Sequence, residues 1–230
     1  MEQSERGKSN KWYPKLTPFG KWVAGRVRLL ATGGRSPSGI IVEGYVQGGS
    51  YATAALAKLR RSAGHEVGAD PDVFEWILLD VDDPGVSGWY SFGAGENPTP
   101  EELAAHAAIT LFAMHQQSIH EASMHTDEWI SLGRAVGHMA YGNFNSAGIQ
   151  SMYDRLQTAS SWKEMVRHAR SLVKLLKRER IPLNYGLLAQ DLLKLQSTRE
   201  PANHVRLQWG RDFQSAWNIQ AKAANKANAE

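Results

Sequence analysis

The chain has 230 residues, 42% of them apolar and 8 of them Trp, with a formal net charge of +3 and no Cys. That is enough apolar mass for one large core or two small ones. The lack of Cys excludes disulfides, thiol catalysis and cysteine-bound zinc, so any metal would have to rest on His, Asp and Glu. No apolar run approaches the roughly 20 residues of a membrane helix, and "MEQSERGKSNK" lacks the apolar centre of a signal peptide. A soluble, cytoplasmic protein without membrane contact is expected.

The charge is segregated along the chain. Residues 1–66 carry a net +7, residues 67–130 a net −12 without a single Lys or Arg, and residues 131–230 a net +8. Solvated surface is the commonest origin of such blocks. Two basic segments around an acidic one also suit a protein that grips a polyanion and docks on protein neighbours.

In chain order the elements read as helices. Residues 1–15 are polar and expected to be flexible. "LTPFGKWVAGRVRLLA" places Leu16, Phe19, Trp22, Val23, Val27 and Leu30 at helical spacing and predicts a first helix over 16–31. The glycine-rich 33–50 is expected to be a short hairpin or mobile loop; it lacks the Gly-Lys-Ser/Thr ending of a P-loop. "YATAALAKLRRSAG" predicts a helix closed by Gly64. Residues 65–98 predict a short helix at "VFEWILL" within long acidic loops. "DVDDPG" at 80–85 lacks the alternating ligands and terminal Glu of a calcium loop.

Thr99, Pro100 and Glu102 spell a capping box, and the helix they open is expected to run to about 120. "YGNFNSAG" near 141–148 is rich in turn residues and reads as the boundary between an N-terminal helical domain, 16–143, and a C-terminal bundle, 144–220. Helices are predicted over 147–158, 161–179, 184–196 and 201–220, with a frayed tail at 221–230. The fold expected is all-α, two small helical bundles packed side by side.

"HEASMH", residues 120–125, nearly matches the His-Glu-x-x-His zinc motif but has one residue too many between its histidines. On a helix each residue advances about 100°, so His120 and His125 diverge by roughly 140°. His115 stands five before His120, and His106 nine before His115, with the same difficulty. Polar or partly buried histidines fit better than a metal site. No nucleophile elbow or dinucleotide fingerprint is present, and Asp191 and Asp212 sit in predicted helices without a partner in sequence. No catalytic residue, metal or cofactor is expected, and the chain is not expected to be an enzyme.

The cations are better organised. In "KEMVRHARSLVKLLKRER", Lys163, Arg167, Arg170, Lys174 and Lys177 recur at intervals of four, three, four and three, with Met165, Ala169, Leu172 and Leu176 about 200° away. The stripe covers roughly 21 Å, enough to follow several phosphates of an extended strand. Lys58, Arg60 and Arg61 in "ALAKLRR" form a second cluster. Arg134 in "SLGRA" is a third candidate, next to Gly133, which admits close approach of backbone or ligand; an internal ion pair is the equal alternative for it. Arg206 and Arg211 flank Trp209 in "VRLQWGRDF", whose Trp209 and Phe213 read as core rather than a base-stacking platform.

"ALAKLRR", "AAITLFAMHQQ", "SLGRA", "LVKLLKRERIPLNYGLLAQDLLKL" and "VRLQWGRDF" stand in the order and approximate spacing of the small subunit of the type I-E CRISPR Cascade surveillance complex, the CasB family, which the chain resembles over about residues 52–215. The resemblance implies an all-helical, non-catalytic subunit in antiviral defence. It implies two copies associated head to tail as a dimer, contacting the backbone and large subunits of the complex, its guide RNA and its target DNA. Basic surface would hold the displaced strand and support the R-loop. Arg60, Arg61 and Arg134 match cations of the family motifs, and Arg206 and Arg211 lie in the matching C-terminal segment. The stripe from 163 to 177 comes from helical spacing alone. A purely structural bridge to acidic protein partners and a histidine-metal hydrolase remain the alternatives.

Overall fold

A computed structural model of the chain describes residues 15–35, 39–78 and 96–227. It is predominantly α-helical. The helices are α1 (Pro18–Thr32), α2 (Ser50–Ser62), a single turn α3 (Phe74–Ile77), α4 (Pro100–Gln116), α5 (Leu132–Ala140), α6 (Ser146–Gln157), α7 (Trp162–Arg178), α8 (Tyr185–Leu195) and α9 (Arg199–Ala227). The glycine-rich segment after α1 forms a two-stranded antiparallel pair, β1 (Gly34–Arg35) with β2 (Ile41–Val42). The polar N-terminus to residue 14, and "DVDDPG", lie outside the described residues.

Helix α4 is the central beam. Every side chain from Ala104 to Gln116 is buried, and α2, α7, α8 and α1 all pack against it. Its start is fixed by the capping box: Thr99 N–H donates to Glu102 Oε2 at 2.7 Å and Glu102 N–H to Thr99 Oγ1 at 3.2 Å. Thr99→Ala is expected to cost about 1 kcal/mol, lowering the melting temperature in a calorimetric scan by about 2–4 °C. The helix stops at Gln116, short of the expected 120, because the Gln116 side chain is turned to the following loop. Its amide donates to Ile119 O and Ala122 O and accepts from Met124 N–H at 2.8 Å.

The packing interleaves the two sides of the 141–148 turn. Helix α8 lies against α1 and α4, while α5 lies against α9 and α6. One continuous core runs from Phe19 and Trp22 through Phe112 and Tyr185 to Trp209 and Phe213. Where α5 crosses α9 the backbones touch: a Cβ on Gly133 would fall 2.2 Å from Trp209 O, and one on Gly137 2.4 Å from Phe213 O. At its far end α9 continues beyond the expected 220 to Ala227, since Ala221, Ala223 and Ala224 are strong helix formers.

Candidate nucleic-acid interface

The stripe on α7 is a true helical face. Met165, Ala169, Leu172 and Leu176 are buried, while Lys163, Arg167 and Lys174 are exposed and Arg170 and Lys177 half-buried. Its C-terminal half lies beside α2. Arg60 and Arg61 from α2 and Arg170 and Lys174 from α7 line one groove of about 650 Å³, with Ala57, Met114 and Gln117 completing the wall. Lys177 borders it, donating to Gln117 Oε1 at 3.3 Å. Burial, and then the charge of Arg60, lower the Lys177 pKa from its ordinary value. These cations crowd together without matching acids: the one ion pair to them among the described residues is Arg61 with Asp72, at 3.5 Å and exposed.

Local geometry positions the groove. Helix α2 ends at Ser62, and Gly64 beyond it takes φ +92°, which favours glycine. The missing side chain also makes room for Arg170, whose Nη1 would lie 2.7 Å from a Cβ there. Arg170 Nε is buried without a hydrogen-bond partner among the described residues. The sequence did not indicate Met114 and Gln117 as lining residues, because only tertiary packing brings the end of α4 between α2 and α7.

The remaining candidates go elsewhere. Lys163 and Arg167 lie on α7 away from the groove, and Lys58 is half-buried outside it. Arg134 lines a separate cleft of about 330 Å³ with His138, Arg180, Pro182 and Ile219. Among the described residues its side chain has no hydrogen bond or ion pair, so the internal ion pair is not made; Ser131 Oγ caps its backbone N–H instead, at 3.2 Å. Gly133 beside it admits the backbone of α9 rather than a ligand. Arg206 is committed inside the fold, its Nε donating to Gln157 O at 2.9 Å and its Nη1 to Asn203 Oδ1 at 3.2 Å. Arg206 and Arg211 also edge a shallow trough of about 830 Å³ along α9 with Leu207, Gly210 and Lys222. Trp209 and Phe213 are core.

The histidines are absorbed by separate partners. His106 bonds Ser62 Oγ at 2.9 Å, and His115 Nδ1 bonds the Tyr185 hydroxyl at 2.9 Å. His120 stacks on Tyr45 with ring centres 4.4 Å apart, and His125 Nδ1 accepts from Tyr185 N–H at 3.3 Å. Desolvation lowers the pKa of His106 and His125 to about 4 and that of His115 to about 3, leaving neutral imidazoles. Residues 120–125 form part of a loop laid over the start of α8, held where Leu183 N–H donates to Met124 O at 3.1 Å and Arg28 pairs with Asp127. No group of three or more His, Asp or Glu with metal-binding proximity occurs among the described residues.

Asp191 and Asp212 also find partners. Trp209 Nε1 donates to Asp191 Oδ2 at 2.8 Å; Ser131 Oγ donates to Asp212 Oδ2 at 2.5 Å and Gln208 Nε2 to Asp212 Oδ1 at 2.9 Å. Both carboxyls therefore tie α9 to the rest of the fold.

The family model for the CRISPR-associated protein Cse2 matches residues 55–213. The crystal structure of CasB from Thermobifida fusca superposes with a TM-score of 0.68 at 31% identity, covering 86% of this chain and 99% of that one. Two structures from Thermus thermophilus, a CRISPR-associated protein of the Cse2 family and a CasB, each superpose with a TM-score of 0.56 at 21% identity, covering 86% of this chain and 98% of theirs; at that identity they speak to the fold alone. The comparison with curated proteins gives no match. With the family model spanning most of the ordered helices and the Thermobifida fusca protein matched over nearly its whole length, the chain belongs to the Cse2 (CasB) family, the small subunit of type I-E CRISPR Cascade.

Proposed function

We propose that this Cascade subunit acts without chemistry of its own, holding the displaced DNA strand along the groove between α2 and α7 and so stabilising the R-loop. The observation that carries this reading is convergence. Arg60 and Arg61 are more than a hundred residues from Arg170 and Lys174, yet they line one groove, and almost no carboxylate neutralises them. Four like charges held close repel one another, a cost that a bound phosphate chain reverses.

Opening a target duplex against an RNA guide is nearly balanced in energy, so a few contacts to the extruded strand tip the exchange. Contacts to phosphate alone carry little base preference. Arg134 and Arg211, exposed or half-exposed outside the groove, extend the positive surface; Arg206 contributes its charge from a fixed position. By its charge the acidic stretch 67–130 is matched to protein rather than to DNA: the backbone and large subunits, and a second copy arranged head to tail.

The test is the salt dependence of target binding by the assembled complex. Replacing Arg60, Arg61, Arg170 and Lys174 by Ala is expected to flatten the slope of log K against log salt by about 3, near 0.7 for each single-strand phosphate no longer neutralised. An unchanged slope, with helicity intact by circular dichroism, removes the groove from the strand's path.

A further inference from the structure

The turn between α5 and α6 presents an aromatic ring that nothing among the described residues covers. Phe144 is fully exposed, yet the turn beneath it is ordered by hydrogen bonds. Asn143 N–H donates to Ala140 O at 3.3 Å, Ser146 N–H to Asn143 O at 3.0 Å, and Asn145 N–H to Asn143 Oδ1 at 2.9 Å. Just before the turn, Tyr141 packs edge-on against Trp217 of α9, ring centres 5.4 Å apart, which pins its base to the core. A scattered exposed apolar side chain is ordinary on a protein surface. A whole ring held out on a braced turn has its backbone already ordered, so binding has only the side-chain rotamer left to fix.

The setting of the knob selects its partner. From Met139 to Tyr153 there is no Lys, Arg, Asp, Glu or His, and the first turns of α6 expose only Ala147, Gln150 and Ser151 beside it. A ring that stacks on nucleobases works together with cations for the flanking phosphates, and this stretch of chain supplies none. Small neutral side chains let another protein surface approach closely, with the ring as apolar centre and the amides of Asn143, Asn145 and Gln150 as polar rim, the usual anatomy of a protein contact. We propose that Phe144 is an anchor that inserts into a neutral, apolar pocket on a neighbouring protein subunit of the complex. This inference rests on the chain being one subunit of a larger assembly, and not on any contact with nucleic acid.

The test uses the full-length chain added back to complex assembled with guide RNA but lacking this subunit. Phe144→Ala is expected to weaken its incorporation tenfold or more, while Phe144→Leu, which keeps an apolar knob, stays within about threefold of the parent; fully buried aromatic anchors carry effects of this size. Melting temperature and circular dichroism should not move, since the ring is fully exposed among the described residues. A photoreactive phenylalanine at position 144 should crosslink to a protein subunit. Incorporation unaffected by Phe144→Ala, or a crosslink to nucleic acid alone, overturns the inference. The two proposals fail separately: a groove variant with an unchanged salt slope leaves the Phe144 result standing, and an inert Phe144→Ala leaves the groove standing.

Discussion

Gly133→Ala and Gly137→Ala are each expected to destabilise the fold by about 3 kcal/mol, the upper part of the range for overpacking a tight interior. A new Cβ at either position meets a main-chain carbonyl of α9, at 2.2 Å from Trp209 O or 2.4 Å from Phe213 O. A carbonyl cannot rotate aside as a side chain can, so α5 and α9 must separate. Separation opens the stack of Tyr153 on Phe213, with centres 5.3 Å apart, and pulls Ser131 from Asp212. At about 2–4 °C per kcal/mol for a chain of this size, either variant should melt roughly 6–12 °C below the parent. Gly210→Ala on the same α9, where a Cβ would meet nothing within 4 Å, is the control and should be neutral or slightly stabilising. Equal behaviour of all three would remove the close crossing from the account.

The second large effect is a pH dependence seated at Asp191. Burial, opposed by the Trp209 hydrogen bond and by Lys194 and reinforced by Asp212, raises its pKa to about 7 from an ordinary 3.8. The folded state therefore keeps the carboxyl protonated over a range where the unfolded chain has released the proton. Because the unfolded state binds fewer protons there, stability falls as pH rises from about 4 to about 7, then levels once both states are ionised. Asp191→Asn keeps an acceptor for Trp209 Nε1 and abolishes the titration. Its stability relative to the parent should climb across that window by about 4 kcal/mol by pH 8. The buried histidines push the opposite way, since the unfolded chain takes up protons below pH 6.5 that they refuse; the difference between variant and parent cancels them. A difference flat with pH in denaturant titrations would place the Asp191 carboxyl in an ordinary solvated setting.

Local chemistry in the sequence accounts for most helices. Thr99 and Glu102 mark the start of α4, the spacing of Met165 to Leu176 defines the buried face of α7, and the five-residue gap between His120 and His125 argues against a shared helical face. Helix ends were less legible, because the stop at Gln116 depends on a side chain reaching loop carbonyls. The candidate site was legible as charge but not as place. Arg60 and Arg170 gave no sign in sequence that α4 would hold them against one groove, and Arg206 gave none that it would be spent on Gln157 O. The repeat Gly133-x-x-x-Gly137, the spacing of two small residues on one helical face, was the available signal for the α5 crossing. Phe144 stands among turn residues with no signal of its own, since exposure of an aromatic is a tertiary property.

The central claim is that the α2–α7 groove is the path of a DNA strand, and photocrosslinking in the assembled complex tests it most directly. With 4-thiothymidine placed through the displaced strand of a bound target, adducts are predicted on the groove segments of α2 and α7, around Ala57, Arg61 and Lys174, and should be lost in the four-alanine variant. Adducts confined to other surfaces of the subunit, or a groove found crosslinked to a protein neighbour in the same complex, would contradict it.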